Sequence, residues 1–298
     1  MTVEPHPDLP PSLYKYCSQD AARAILSNKT LQFSRPGLFN DGFDLRIALA
    51  IDIDEKAVIE RALDQIYEGA YGPEPFPAGN KLGAMLLLIR VSFRGKPEPD
   101  AFKEAIRPGI EDLVANRKTM LLQLCDELAA ETAKYKVLCL SSSGTIAPMW
   151  GNYAENIHGA VLQFAPREED SLFLVARPVT YVDHVPVLFD DQGFTDWLSG
   201  RRGLNDSDLL SQFLYTKTAE WAPEREWRIV AGSGWKPDDE REYVEFSARD
   251  LEAVVFGFRS NAAFREEITK LVAEHYPECR LREMRPANGQ MAYEIVDL

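Results

Sequence analysis

Two carboxylates and a guanidinium stand close together at Glu224, Glu226 and Arg228. Read as a strand, Glu224-Arg225-Glu226-Trp227-Arg228-Ile229-Val230 puts Glu224, Glu226 and Arg228 on one face and Arg225, Trp227 and Ile229 on the other. Trp227 and Ile229 mark the core side. The opposite side then carries paired carboxylates with Arg228 beside them. Like charges that close raise at least one pKa unless the cation compensates, which is how a functional carboxylate is tuned. A surface salt-bridge ladder has the same pattern and contributes little.

A second cluster lies in Val137 to Phe164. An apolar run (Val137–Leu140) ends in Ser141-Ser142-Ser143-Gly144. A segment crowded with Met149, Trp150, Asn152, Tyr153, Asn156 and His158 follows, then a second apolar run, Gly159 to Phe164. Polar groups that orient a ligand, set among aromatics that stack on it, make a small-molecule pocket. A strand, a turn and a helix with ordinary aromatics fit the same residues. Ser141 and Ser143, two apart at a strand end, point the same way and suit either a ligand's hydroxyls or a plain turn. Trp150 and Tyr153, three apart, share one face of a helix, so at least one is expected in the same cleft as Glu226.

The elements that must position these residues are legible from their periodicity. Leu13–Tyr16 reads as a first strand, and Ser18 as the N-cap of a helix with Ala21, Ala22, Ile25 and Leu26 on its apolar stripe. Leu31–Ser34 alternates like a strand and stops at Arg35-Pro36-Gly37, before a turn at Asn40-Asp41-Gly42. Residues 55–67, 81–91 and 100–134 read as helices, the last broken at Pro108-Gly109. Beyond the central stretch, residues 172–182 look like one or two strands and residues 194–215 like helix. Tyr243–Phe246 and Leu251–Phe258 read as strands, Asn261 caps a helix over Ala262–His275, and Leu281–Met284 and Ala292–Val296 close the chain as strands. Strands with segregated helices predict an α+β fold. The expected organisation is a single domain over 1–298, with a mixed or antiparallel β core and a mainly helical insertion at 54–134.

Composition narrows the function. Hydrophobic residues at 45% and charged residues at 27% of 298 fit an ordinary globular protein. A net charge of −14 disfavours nucleic acid and anionic membranes as partners. No run approaches the ~20 apolar residues of a spanning helix. The first residues, MTVEPHPDLPPS, lack the basic and apolar regions of a signal peptide, and Cys17, Cys125, Cys139 and Cys279 form no CxxC pair; a cytoplasmic location is expected. The four histidines are far apart, so no metal site is expected on them. Signatures of dinucleotide-binding Rossmann folds, P-loops, zincins and α/β-hydrolases are missing.

The ordered motifs LYKY (Leu13–Tyr16), LQFSRPGLFNDGFD (Leu31–Asp44), LCLSSS with MWGNYAENIHG (Met149–Gly159) and K-x3-W-x2-E-x-E-W-R (Lys217–Arg228) resemble the bacterial "domain of unknown function 2971" family. Gly42 and Asn152 stand where that family usually has proline and histidine. A more distant similarity links the chain to ADP-ribosyltransferases of the Arg–Ser–Glu type. These use a basic residue on a first strand, a later S-x-S and an E-x-E; here the matching positions are Lys15 (or its neighbours Tyr14 and Tyr16), Ser141 with Ser143, and Glu224 with Glu226. This resemblance implies an ADP-ribosyltransferase-like fold and cleavage of the nicotinamide–ribose bond of NAD, as a bacterial toxin or defence effector. Glu226 would steady the developing positive charge and Glu224 would orient or deprotonate the acceptor: a protein, water or, less favourably, nucleic acid. Tyr14, Lys15, Tyr16, Ser141, Ser143 and Arg228 would bind NAD, with Trp150 or Tyr153 stacked on the nicotinamide. Two other readings use the same residues: a non-catalytic module sensing a nucleotide-like ligand, and a metal-dependent hydrolase built on Asp41, Asp44 and the glutamate pair.

Overall fold

The computed structural model of the chain describes residues 4–39, 41, 49–74, 76–92, 95–204 and 206–298. Strand β1 (Leu13–Cys17) leads into α1 (Gln19–Asn28), where the Ser18 side chain accepts from the Ala21 amide as the N-cap pattern predicts. Lys29, in the left-handed region at φ 55°, ends the helix and turns the chain into β2 (Thr30–Ser34). Of the turn residues expected next, Asn40 and Gly42 lie outside the described residues. After β3 (Ala50–Ile51) come α2 (Glu55–Tyr71), α3 (Lys81–Ser92) and α4 (Pro99–Thr132).

The break expected at Pro108 does not occur, since α4 runs through it. Phe102, Ile106, Ile110 and Val114, on both sides of the proline, pack into one apolar cluster with α2 residues Val58, Ala62 and Leu63. That packing outweighs the single backbone hydrogen bond a proline removes.

The chain continues through β4 (Val137–Ser141), α5 (Ala147–Asn152) and β5 (Ala160–Phe164). Residues 172–182 are less regular than their alternation implies: Leu172–Val175 is a 3-10 turn, and only β6 (Arg177–Pro178) and β7 (Thr180–Val182) are strands. Next are β8 (Val187–Phe189), α6 (Asp191–Leu198), α7 (Asp206–Tyr215), β9 (Thr216–Thr218), β10 (Glu226–Val230) and β11 (Arg241–Glu245). The chain closes with β12 (Leu251–Phe256), α8 (Ala262–His275, capped by Asn261 as expected), β13 (Arg280–Pro286) and β14 (Tyr293–Asp297).

The fold is α+β, and the chain divides into two compact units. The first comprises Met1–Leu45, Glu131–Tyr181 and Leu214–Leu298; the second comprises Arg46–Ala130 and Val182–Phe213. The helices expected as an insertion make up most of the second unit, and residues 182–213 join them there. Among the described residues no helix is long and apolar enough to cross a membrane.

In the first unit the described residues form a ten-stranded sheet, mostly antiparallel, with β12 and β13 parallel. Strands β1, β4 and β10 belong to it together, as expected of one core. Register fixes which side chains share a face. Glu226 pairs with Ser141 and Arg228 with Cys139, so these four point one way, and Trp227, Ile229, Leu138 and Leu140 point the other way into the main apolar cluster. Helices α1 and α8 cover that cluster with Ala22, Ile25, Leu26, Phe264, Ile268 and Val272. Fully burying a Val, Leu, Ile or Phe side chain of this cluster stabilises by about 1.5–3 kcal/mol.

The sheet is split beside β4. One edge of β4 pairs along its length with β10. The other edge is bridged to β2 only at Val137, through Ser34, and to β1 only at Ser141, through Tyr14. Strands β1 and β2 therefore diverge, with α1 connecting them.

Candidate functional site

A cavity of about 540 Å³ occupies this opening, a volume suited to a small-molecule ligand. Its walls come from β1, α1, β2 and β4, and Glu224, Glu226 and Lys217 line it. Among the described residues, no group of three or more His, Cys, Asp or Glu side chains converges as a metal would require. The Asp44 needed by the metal-hydrolase reading lies outside the described residues.

Glu226 opens β10, while Glu224 reaches the site from a different element. Residues Ala219–Glu224 form a 3-10 turn, and Arg225 sits in the left-handed region at φ 48°, ψ 50°. The shared strand face expected for the two glutamates therefore does not exist, because strand geometry begins only at Glu226. What joins them is Lys217, whose Nζ donates to Glu224 Oε2 at 2.8 Å and to Glu226 Oε2 at 3.0 Å. The ammonium also lies over the Trp221 ring, 4.4 Å from its centroid.

Arg228, fully buried, holds Glu226 from the other side. Its Nε donates to Oε1 at 2.7 Å and its Nη2 to Oε2 at 3.3 Å, and Nη1 donates to the Leu214 carbonyl at 2.8 Å. Tyr153 donates its phenol to Glu224 Oε1 at 2.9 Å.

The backbone around the pair is pinned as firmly. Ser141 Oγ donates to the Glu224 carbonyl at 2.7 Å, the Ser142 amide to the Arg225 carbonyl at 3.0 Å, and the Glu226 amide to the Tyr181 phenol oxygen at 2.7 Å. Burial pushes the Tyr181 phenol up to about 12.

Burial alone would raise the Glu226 carboxyl. The Arg228 guanidinium, the Lys217 ammonium and a hydrogen bond from the Cys139 thiol outweigh it and bring the carboxyl down to about 2. A depressed carboxylate contributes stability above its unfolded pKa and loses it as pH falls through the folded one. The melting-temperature advantage of wild type over Glu226→Gln should therefore be constant above about pH 4.5 and shrink steadily toward pH 2. A gap that stays constant from pH 6 to pH 2 would contradict this.

The other expected site residues divide into cavity walls and supports. Tyr14, Lys15, Tyr16 and Tyr153 line the cavity with the two glutamates. Lys15 Nζ donates to the Cys139 carbonyl at 3.0 Å. Tyr16 uses its hydroxyl on the loop after β4, donating to Ser143 O and accepting from the Ile146 amide.

Ser141, Ser143, Trp150 and Arg228 are not among the lining residues. Ser141 is fully buried on Glu224, and Ser143 bonds within its own turn to Thr145. Of the two aromatics expected to face the cleft, Trp150 does not. It is fully buried, donates its indole N–H to Gly144 O at 2.9 Å and packs edge-on against Tyr16, leaving Tyr153 as the aromatic of that segment in the cleft. No protein-family profile, curated protein or solved structure matches the chain.

Lys217, Trp221, Tyr181 and Arg241 also belong to the site or its support, although the sequence assigns them no role there. Lys217 and Trp221 did carry a signal, four residues apart at the head of the K-x3-W-x2-E-x-E pattern. Tyr181 and Arg241 stand in short strands with no distinguishing pattern.

Proposed function

We propose that the cavity binds NAD or a closely related nucleotide, and that Glu226 assists cleavage of the nicotinamide–ribose bond. Support comes from one observation above all: a buried carboxylate, held ionised and oriented by Arg228 and Lys217, on the wall of a ligand-sized cavity. A preorganised negative charge in a site shielded from water favours a transition state more positive than the ground state. In this reading the bond from ribose C1′ to the ring nitrogen breaks with its electron pair leaving on nicotinamide. An acceptor oxygen or nitrogen forms the new bond to C1′, and Glu224 takes the acceptor's proton. The acceptor is a protein nucleophile or water, giving an ADP-ribosyltransferase or an NAD glycohydrolase. Tyr153, already bonded to Glu224, offers the aromatic face beside the leaving group.

A second reading has its own support. Both Glu226 oxygens already accept from Arg228, and Oε2 also accepts from Lys217. That degree of pairing suits a non-catalytic module that binds a nucleotide-like ligand over a structural ion cluster. Titration calorimetry with NAD, run beside a nicotinamide-release assay on the same protein, separates the two. Binding with release supports cleavage, binding without release in the presence of a broad protein acceptor mixture supports the sensing module, and neither would overturn both.

A further inference from the structure

The charges along the cavity wall are unevenly neutralised. Lys217 is shared by Glu224 and Glu226, which offset it. Two other cations line the cavity, Lys15 and Arg241, and among the described residues neither makes an ion pair with a carboxylate. Lys15 donates to a neutral carbonyl, that of Cys139. Arg241 opens β11 at the far end of the cavity, exposed, opposite Ser34 of β2. Beside it runs a ladder of neutral donors on the same face: the Tyr243 hydroxyl donates to Gln32 Oε1 at 3.3 Å and the Gln32 amide donates to Ser34 Oγ at 2.9 Å. In a chain of net charge −14, unneutralised cations on a concave wall with hydroxyl and amide neighbours favour an anionic group.

The sheet sets how far this end lies from the glutamates. Ser34 pairs with Val137, and Ser141, four residues further along β4, pairs with Glu226. At ~3.3 Å per residue this is about 13 Å along the strand. A ligand filling both ends is therefore extended, with its reacting centre at Glu226 and an anionic portion near Arg241.

We infer that Arg241 forms the anion subsite of the cavity, aided by Lys15 part-way along, and that it selects phosphate- or diphosphate-bearing nucleotides over uncharged nucleosides. This rests on the reading that the cavity binds a nucleotide, and it adds which residue selects the charged ones.

The test titrates ADP-ribose, inorganic pyrophosphate and adenosine into wild type, Arg241→Met and Arg241→Lys. Because Arg241 is exposed and makes no ion pair among the described residues, its replacement should leave the fold intact, which the melting temperature checks. The expected result is an ADP-ribose affinity about 10-fold or more weaker in Arg241→Met, partly restored in Arg241→Lys, with adenosine unaffected. Added salt should weaken wild-type ADP-ribose binding more than that of Arg241→Met. Equal ADP-ribose affinity in wild type and Arg241→Met would overturn the subsite, as would a wild type that binds both ADP-ribose and adenosine, and binds them equally tightly. If Arg241-dependent ADP-ribose binding holds while wild type releases no nicotinamide from NAD, the subsite stands and only the cleavage reading falls. Arg241-dependent binding of pyrophosphate without any nucleotide binding keeps the anion subsite and removes the nucleotide.

Discussion

Replacing Arg228 by methionine is expected to destabilise the first unit by about 3–5 kcal/mol, read as a large shift in the urea midpoint. Arg228 is fully buried, and its hydrogen bonds include two to Glu226 and one to the Leu214 carbonyl. Methionine has similar length and packs well, so lost volume contributes little. The cost arises because Glu226 keeps its charge in a desolvated position with Lys217 as its remaining close cation. Arg228→Met combined with Glu226→Gln should therefore recover much of the loss. A single variant within 1 kcal/mol of wild type would show that the pair is not a buried ionic keystone.

The second large effect concerns chemistry. Glu226→Gln keeps the shape of the side chain and much of its hydrogen bonding but removes the negative charge. If that charge meets a transition state more positive than bound NAD, its loss slows bond cleavage by ~10² or more and changes NAD affinity far less. Glu224→Gln should have a smaller effect on nicotinamide release and a larger one on transfer to an acceptor, since its proposed role is toward the acceptor. Both substitutions disturb Lys217, and Glu226→Gln also disturbs Arg228, so rates must be compared per folded molecule.

Much of the scaffold was legible because its signals are local. Ser18 and Asn261 announce α1 and α8, since a side-chain oxygen before an apolar stripe satisfies an otherwise orphaned helix amide. Trp227 and Ile229 were legible as core because strand alternation is strict once the strand begins. Alternation failed one residue earlier. Arg225 takes a left-handed conformation that nothing in its side chain signals, so Glu224 approaches from a turn.

Long-range register hid the rest. Strand parity predicts that Ser141 and Ser143 point the same way, but β4 ends at Ser141, and only the pairing of β4 with β10 shows that Ser141 meets the Glu224 carbonyl. Trp150 and Tyr153 looked equivalent from their spacing. Tertiary packing sends Trp150 into the core against Tyr16 and Tyr153 to Glu224. The allocation of residues 182–213 to the second unit likewise depends on contacts between distant segments, such as the parallel pairing of β3 with β8.

The most direct test of the central claim is the rate of nicotinamide release at saturating NAD, per folded molecule, for wild type and Glu226→Gln side by side, with protein acceptors supplied. The account predicts measurable release by wild type and a rate at least ~10² lower in Glu226→Gln, with NAD still bound by the variant. Release that continues at the wild-type rate in Glu226→Gln would contradict it.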